Sequence, residues 1–536
     1  MDFATIDYVV FGVYAALIVG VGLWVSREDE GHVKDTGDYF LAGKALPWWA
    51  IGASLIASNI SAEQFIGMSG SGFRLGLAIA SYEWMAAVTL LVIAYFFLPI
   101  YLDKGIFTMP QFLEKRYDGR VRTLLAVFWL LVYVFVNLTA VLYLGALALE
   151  GIMGVPLLWG IAGLATFATV YSIYGGLEAV AWTDVVQVIV LIGGGLLTTV
   201  LALDAYGAAN GGGGVIAGFA QLVEDLPERF DMILGPGDLL YETDAGQTED
   251  AYQLLPGLGV LLGGMWVANL FYWGCNQYII QRALAGKSLE EAQRGLAFAG
   301  ALKLLLPLIV VIPGIVAFGL EAPIDKADQA YPWLLSSYVA PGVKGLAFAA
   351  LAAAIVSSLA SMMNSTATIF TIDLYKSRRP ESSETTLVSI GRIVSLVAIT
   401  VAALAAYPLL GAIDQAFQYI QEYTGFISPG VLAVFVMGLF WRKATANAAL
   451  VTAVLSIPLS ALAAALLPSI PFLNRMGYVF LVSVGLIVVI SLLENKGADD
   501  AKAISVGDVS RGRDPVFAVA AFAILGVTAA LYALFW

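Results

Sequence analysis

The sequence predicts an all-α polytopic membrane protein of about fourteen transmembrane helices, and three observations predict it. Of 536 residues, 60% are hydrophobic and 12% charged, about half the charged share of a soluble domain, and mean hydropathy is +0.85. Apolar segments of spanning length recur along the chain. Lysine and arginine are concentrated in alternate connecting loops.

The first apolar segment, 6–26, follows Asp2 and Asp7 instead of a basic stretch and lacks a small-residue cleavage site, so it is expected to stay as an anchor (span 0). Spans 1 to 5 are expected at 47–73, 75–103, 121–149, 156–174 and 177–203. Spans 6 to 10 follow at 256–281, 288–320, 343–375, 384–406 and 413–441, and spans 11 to 13 at 443–467, 473–494 and 514–536. The expected organisation is one transport domain over 1–536: the anchor, a ten-helix core over 47–441 and three peripheral helices over 442–536.

Loops on the side reached first after the anchor hold 21 Lys/Arg, the opposite loops 5, and Lys303 lies inside a span. The positive-inside rule then places both termini outside the cell membrane. The long external connection Asp204–Leu255 carries ten Asp/Glu and one arginine, with a short helix expected near 218–226 and no chemistry assigned to it.

Several function classes are excluded early. A net charge of -13 without a basic run does not suit nucleic acid. One cysteine, Cys275, permits no intramolecular disulfide or cysteine metal cluster. The single histidine, His32, falls in a polar loop. The stretch Ala285-Gly286-Lys287-Ser288 resembles the end of a phosphate-binding loop, but Gln281 stands where that loop needs glycine. The sequons at Asn59, Asn137 and Asn364 lie inside spans. No nucleophile–base pair is visible, so the chain does not read as an enzyme.

Polar residues inside the spans carry the chemistry that remains. Span 1 contains Ser54, Ser58, Asn59, Ser61, Glu63 and Gln64, costly in hydrocarbon and expected where a helix breaks around a site. Asn269 lies at a similar depth in span 6, which runs oppositely, and this hints at two inverted five-helix repeats. Helical spacing puts Gln64 and Met68 on one face, as it does Phe417 and Gln421, with the apolar member of each pair further outside. Tyr272 follows Asn269 on the inner side. Two readings fit: an occluded cavity with two lids, or glutamines that hydrogen-bond between helices among core aromatics. Glu83 in span 2 and Lys303 in span 7 face a cavity or pair as a structural bridge. Asp184 reads as an interfacial carboxylate. Ser357 and Ser358 either allow close packing or join freed carbonyls around a hard cation.

The stretches ASNISAEQFIGMSGSG, ASYEWM, VYSIYGGLEAV, WVANLFYWGCNQYIIQR, AAAIVSSLASMMNSTATIF and QAFQYIQEYTG closely resemble the sodium/solute symporter family, in its sodium/glucose cotransporter branch. The resemblance runs from the anchor to the final Leu534-Phe535-Trp536. It implies a LeuT-like core of two inverted five-helix repeats with helices 1 and 6 broken, and symport of sodium with a hexose, galactose or glucose, by alternating access. The implied sodium site uses the carbonyls of Ala57, Ile60 and Ala354 and the hydroxyls of Ser357 and Ser358, with Asp184 on the exit route. Sugar hydroxyls would meet Gln64, Glu83, Asn269, Lys303 and Gln421. Tyr272 would stack on the ring as inner gate, and Met68, Tyr82 and Phe417 would form the outer gate. One departure stands out: Ala86 occupies a position where the family pocket has serine, one turn from Glu83. A sodium-coupled carrier of another solute, such as an amino acid, inositol or a carboxylate, is the alternative.

The charge asymmetry makes a topological prediction. In a Cys275→Ala background, a cysteine at Gly212 should react with an impermeant thiol reagent from outside, and one at Ser377 only from inside. Swapped labelling would overturn the orientation.

Overall fold

The computed structural model describes residues 4–25, 36–243, 246–411 and 416–536; His32, Arg27 and Lys34 lie outside them. The described chain is almost entirely helical, and its strands form one short antiparallel hairpin, Leu240–Glu242 with Thr248–Asp250, in the acidic connection. That connection also holds the helix Val215–Asp225, close to the expected position.

Among the described residues, ten helices are long and apolar enough to cross a membrane, eleven if the pair Ala251–Leu262 and Gly264–Cys275, bent by 78°, counts as one. The expected fourteen spans exceed this because spans 1, 6 and 10 are interrupted, short or bent and span 4 runs on into span 5. Span 1 is a short helix, Trp48–Asn59, followed after a break by Glu63–Met68 and Ser69–Leu75. Span 10 is split into Ala416–Gly425 and Ser428–Phe440. The interruption expected at 175–176 is not one: the helix Leu157–Ala209 carries spans 4 and 5 in one run. A Gly-Gly pair lowers helix propensity by about 1 kcal/mol per residue without removing a hydrogen bond, so the backbone ladder continues.

The breaks fall where the backbone turns extended. Ile60 has φ −75° and ψ 114°, and Asn276 in span 6 has φ −92° and ψ 120°. The second break therefore lies at Asn276 and not beside Asn269, which sits within the helix Gly264–Leu270. Around both breaks the helices widen into π-helical turns, Glu63–Met68 in span 1 and Phe271–Cys275 in span 6. Others occur at Ile93–Phe97, Tyr133–Leu138 and Ile369–Lys376, in spans 2, 3 and 8. Such turns shift side chains off the regular helical faces and are frequent at functional sites.

Close packing holds the broken helices against their neighbours. A Cβ on Gly314 of span 7 would overlap the carbonyl oxygen of Ser69 in span 1, and one on Gly264 would overlap that of Leu473 in span 12. Asp7 of span 0 accepts from the amides of Gly342 and Gly345, both at 2.7 Å, at the start of span 8. An acidic side chain there satisfies amide donors that the helix leaves without partners. The entry to span 1 and the exit of span 6 are joined by main chain: Leu46 pairs with Gly286 in a parallel bridge, with Leu46 N to Ala285 O 3.1 Å and Lys287 N to Leu46 O 3.2 Å.

Candidate functional site

The break in span 1 frees backbone groups that the membrane interior would not solvate, and nearby side chains take them up. Gln64 Oε1 accepts from Ser61 N at 2.9 Å and from its hydroxyl at 3.2 Å. Ser61 Oγ in turn accepts from Glu63 N at 3.1 Å. From span 8, the hydroxyl of Ser358 reaches the carbonyls of Ser58 and Ile60, at 3.1 and 3.4 Å. Asn59, the last helical residue before the break, donates to Tyr272 Oη at 2.9 Å and accepts from Lys303 Nζ.

Lys303 also bonds Glu83, and its ammonium lies 5.0 Å from the centre of the Trp273 ring. Both members of the pair are almost wholly buried, so each charge is compensated by the other at a depth where neither could stand alone. Lys303, Glu83 and Asn59 line one cavity together with Gln64, Tyr82, Asn269, Tyr272, Phe417 and Gln421. All six residues expected to bind substrate are thus gathered in one place, with Ala86 beside them. The cavity is tight, about 60 Å³, below the few hundred Å³ usual for small-molecule sites, because its polar groups bond one another across it. Asn269 Nδ2 is a buried donor with no partner among the described residues.

Of the expected gate residues, Tyr82 and Phe417 meet edge to face, 5.3 Å between centres, and both line the cavity. Met68 does not line it; the π-helical turn at Glu63–Met68 disturbs the spacing that would set Met68 one turn above Gln64 on the same face, and Met68 is fully buried. Tyr272 lies at the opposite partner of Asn59 and also accepts from the hydroxyl of Tyr278 at 2.5 Å.

A second buried cluster lies beside the break. Asp184 is fully buried and accepts from the hydroxyls of Ser54 and Ser357. Arg282 of span 6 stands 3.7 Å from Asp184 and donates to Ser54 at 2.8 Å, to Ser361 and to the carbonyl of Tyr278. Ser58 and Ser361 are 3.0 Å apart. Ala57, Ile60, Ala354, Ser357 and Ser358 are all buried on the two helices that meet here. The structure brings Ser358 to the Ile60 carbonyl, whereas Ser357 donates to Asp184.

The two clusters meet at one residue: polar contacts run from Glu83 through Lys303, Asn59 and Tyr272 to the hydroxyl of Tyr278, while the backbone carbonyl of Tyr278 accepts from Arg282, which stands beside Asp184 and so near Ser357. The sequence reading assigned no role to Asn59 as a ligand, nor to Trp273, Tyr278 or Arg282. Arg282 follows Ile279-Ile280-Gln281 one residue past the expected end of span 6, so the sequence places it among the loop cations and does not signal its burial.

Helices broken by extended residues around a buried polar cavity define a secondary active transporter. The comparisons make this specific: the model of the sodium:solute symporter family matches residues 39–455, and the chain belongs to that family. It is 53% identical to a sodium/glucose cotransporter of Vibrio parahaemolyticus over 99% of this chain and 98% of that one. It is 35% identical to sodium/glucose cotransporter 2 of Rattus norvegicus, over 81% of this chain and 68% of the relative. It is also 35% identical to human sodium/myo-inositol cotransporter 2, over 82% of this chain and 66% of the relative. Among solved structures, a sodium-coupled sialic acid symporter superposes with a TM-score of 0.76 at 24% identity, covering 92% of this chain and 98% of that one. A transporter of the nucleobase-cation-symport-1 family in a closed conformation gives 0.52 at 16% identity, over 87% and 96%. These likenesses establish the LeuT-like fold.

The Asp184–Arg282 pair gives a stability test. Arg282→Ala leaves Asp184 buried without its cation and should cost about 3–5 kcal/mol, seen as a lower Tm of the purified protein. Arg282→Ala combined with Asp184→Ala should recover part of that loss. A double variant no more stable than the single one would show that the two charges are not coupled.

Proposed function

We propose that this chain carries a hexose, galactose or glucose, into the cell together with sodium by alternating access. The observation that carries the reading is the single cavity in which an ammonium, a carboxylate and amides meet two aromatic rings beside a broken helix. A sugar hydroxyl both donates and accepts. It can therefore enter between Lys303 and Glu83, donating a hydrogen bond to the carboxylate and accepting one from the ammonium. Asn269, Gln64 and Gln421 supply further amide contacts, and Tyr272 with Trp273 offers flat apolar surface to a pyranose face. A carboxylate substrate has no donor for Glu83 and would be repelled by it. The 53% identical sodium/glucose cotransporter supports the same substrate class. The 35% identical sodium/myo-inositol cotransporter 2 favours a second reading, a cyclic polyol, which presents the same hydroxyl chemistry.

Sodium would lie between spans 1 and 8. The carbonyls of Ala57, Ile60 and Ala354 and the hydroxyls of Ser357 and Ser358 form an all-oxygen set of the kind a hard cation prefers. Ser357 keeps lone pairs for the ion while donating to Asp184. Ser358 would turn its proton away from Ile60 O so that both oxygens face the cation. Asp184 would receive the ion on its way to the cytoplasm. Tyr82, Phe417 and, behind them, Met68 would close the outer side, and Tyr272 the inner. The Lys/Arg distribution supports insertion in the cell membrane with both termini outside. One charge crossing roughly 100 mV supplies about 2.3 kcal/mol, and a tenfold sodium gradient adds about 1.4 kcal/mol. Together they suffice to concentrate a neutral sugar several hundredfold.

Uptake of labelled galactose and glucose into proteoliposomes should require an inward sodium gradient, and excess myo-inositol should not abolish it; inhibition by myo-inositol stronger than by either hexose would favour the polyol. Ser358→Ala removes a proposed ligand with little change in volume, so sodium activation of uptake should shift sharply upward in concentration. Unchanged activation would make Ser358 a packing residue.

For the sugar, a hydrogen bond to a charged group contributes about 1.5–3 kcal/mol. Glu83→Gln should therefore weaken sugar affinity about tenfold to a hundredfold, measured on monodisperse protein because Lys303 loses its counter-charge. Ala86→Ser should act oppositely and tighten galactose more than a deoxy analogue lacking the contacted hydroxyl. Wild-type affinity in Glu83→Gln would reduce that residue to a partner of Lys303.

A further inference from the structure

Span 13, Pro515–Leu534, packs beside spans 2 and 7, and its first turn is built with unusual care. The π-helical turn Ile93–Phe97 in span 2 leaves the carbonyl of Ala94 to Gln293 of span 7, whose amide donates to it at 3.0 Å. The same buried amide donates to the carbonyl of Arg511 at 2.9 Å. Gly512, at φ +70°, turns the chain immediately afterwards. Arg294 then holds Asp514 through two bonds of 2.6 and 2.9 Å. Asp514 caps the helix by accepting from Val516 N and Phe517 N. The segment 511–514 is thus stapled to both neighbouring spans.

Beyond the staple lies an apolar groove of about 540 Å³ between spans 2 and 13, walled by Leu91, Val92, Ala518, Ala521 and Leu525. Arg511 and Arg513, both exposed, line the end of this groove, and neither pairs with an acidic side chain among the described residues. The guanidinium of Arg511 lies 5.6 Å from the ring centres of Tyr95 and of Phe96, both exposed, and tyrosine is enriched at membrane interfaces. Two uncompensated cations therefore sit at the interfacial end of a trough whose walls are apolar.

We infer that this groove is a binding site for an anionic phospholipid, its acyl chain in the trough and its phosphate on Arg511 and Arg513. The charge pattern selects this occupant. A zwitterionic lipid fits the trough but offsets its phosphate with its own ammonium, and a free phosphate leaves the trough unused. A peptide would bring backbone donors and acceptors that apolar walls cannot satisfy. The site lies at the end of span 13 shared with the Lys/Arg-rich loops, where anionic headgroups attract basic residues. Because spans 2 and 7 carry Glu83 and Lys303, the bound lipid would brace the outer wall of the sugar cavity.

Native mass spectrometry of the full chain in detergent, titrated with phosphatidylglycerol or phosphatidylcholine, tests the assignment. The first phosphatidylglycerol should bind more tightly than phosphatidylcholine, by roughly fivefold for each arginine engaged. Arg511→Ala with Arg513→Ala should abolish the preference, while Arg378→Ala with Arg379→Ala, which removes two exposed charges elsewhere on the same face, should retain it. Ala518→Trp fills the trough without altering charge and should weaken binding. Equal affinity for the two lipids, a preference that survives loss of Arg511 and Arg513, or binding unmoved by Ala518→Trp and competed by inorganic phosphate would each overturn the site.

Discussion

The constraint on which everything else depends is that backbone groups released inside a membrane must find partners within the protein. Opening span 1 at Ile60 and span 6 at Asn276 releases such groups in the middle of the fold. The Ser61–Gln64 contacts, the reach of Ser358 across from span 8 and the bond from the Tyr278 amide to the Tyr133 hydroxyl are the answers to that demand. Of the oxygens that repair the break, the Ser358 hydroxyl and the Ile60 carbonyl it reaches also belong to the set proposed to hold sodium. On that proposal, part of the repair of the broken helix would be exchanged for the ion.

Charge inside the bundle obeys a parallel rule. Glu83 with Lys303 and Asp184 with Arg282 are buried opposite-sign pairs, one beside each candidate site. Neither pair is well explained as a source of stability, because desolvation of two ions commonly consumes what their attraction returns. Each makes sense as a set of strong donors and acceptors held ready for exchange with a ligand. The contacts through Asn59 and Tyr272 reach the hydroxyl of Tyr278, and Arg282 bonds the carbonyl of the same residue, so the two sets meet at Tyr278 on span 6.

Much of this was legible in the sequence. Continuous apolar stretches marked spans 0, 7, 8 and 9 because a regular helix in lipid needs little else. The ionisable residues Glu83 and Lys303 announced themselves by being where charge is expensive, and the cavity gathers them with Gln64, Asn269, Tyr272 and Gln421 as expected. What could not be read is local backbone geometry. Nothing in Phe271–Cys275 or Glu63–Met68 signals a π-helical turn, and such turns change which residues share a face. That is why Met68 fell out of the cavity and the second break moved from the vicinity of Asn269 to Asn276. The gap expected between spans 4 and 5 failed in the opposite sense, because helical backbone continues through 175–176.

The bridge between Leu46 and Gly286 has a consequence for how the protein can change over generations. It ties the entry of span 1 to the exit of span 6 through amide and carbonyl groups alone. Every residue except proline supplies both groups, so the link itself does not depend on which side chains stand at 46 and 285–287, although Leu46 and Ala285 are buried and constrained by their packing. Relatives that have adapted their cavities to different cargo can thus keep the two broken helices tethered, because the tether is written in the polymer itself rather than in its alphabet.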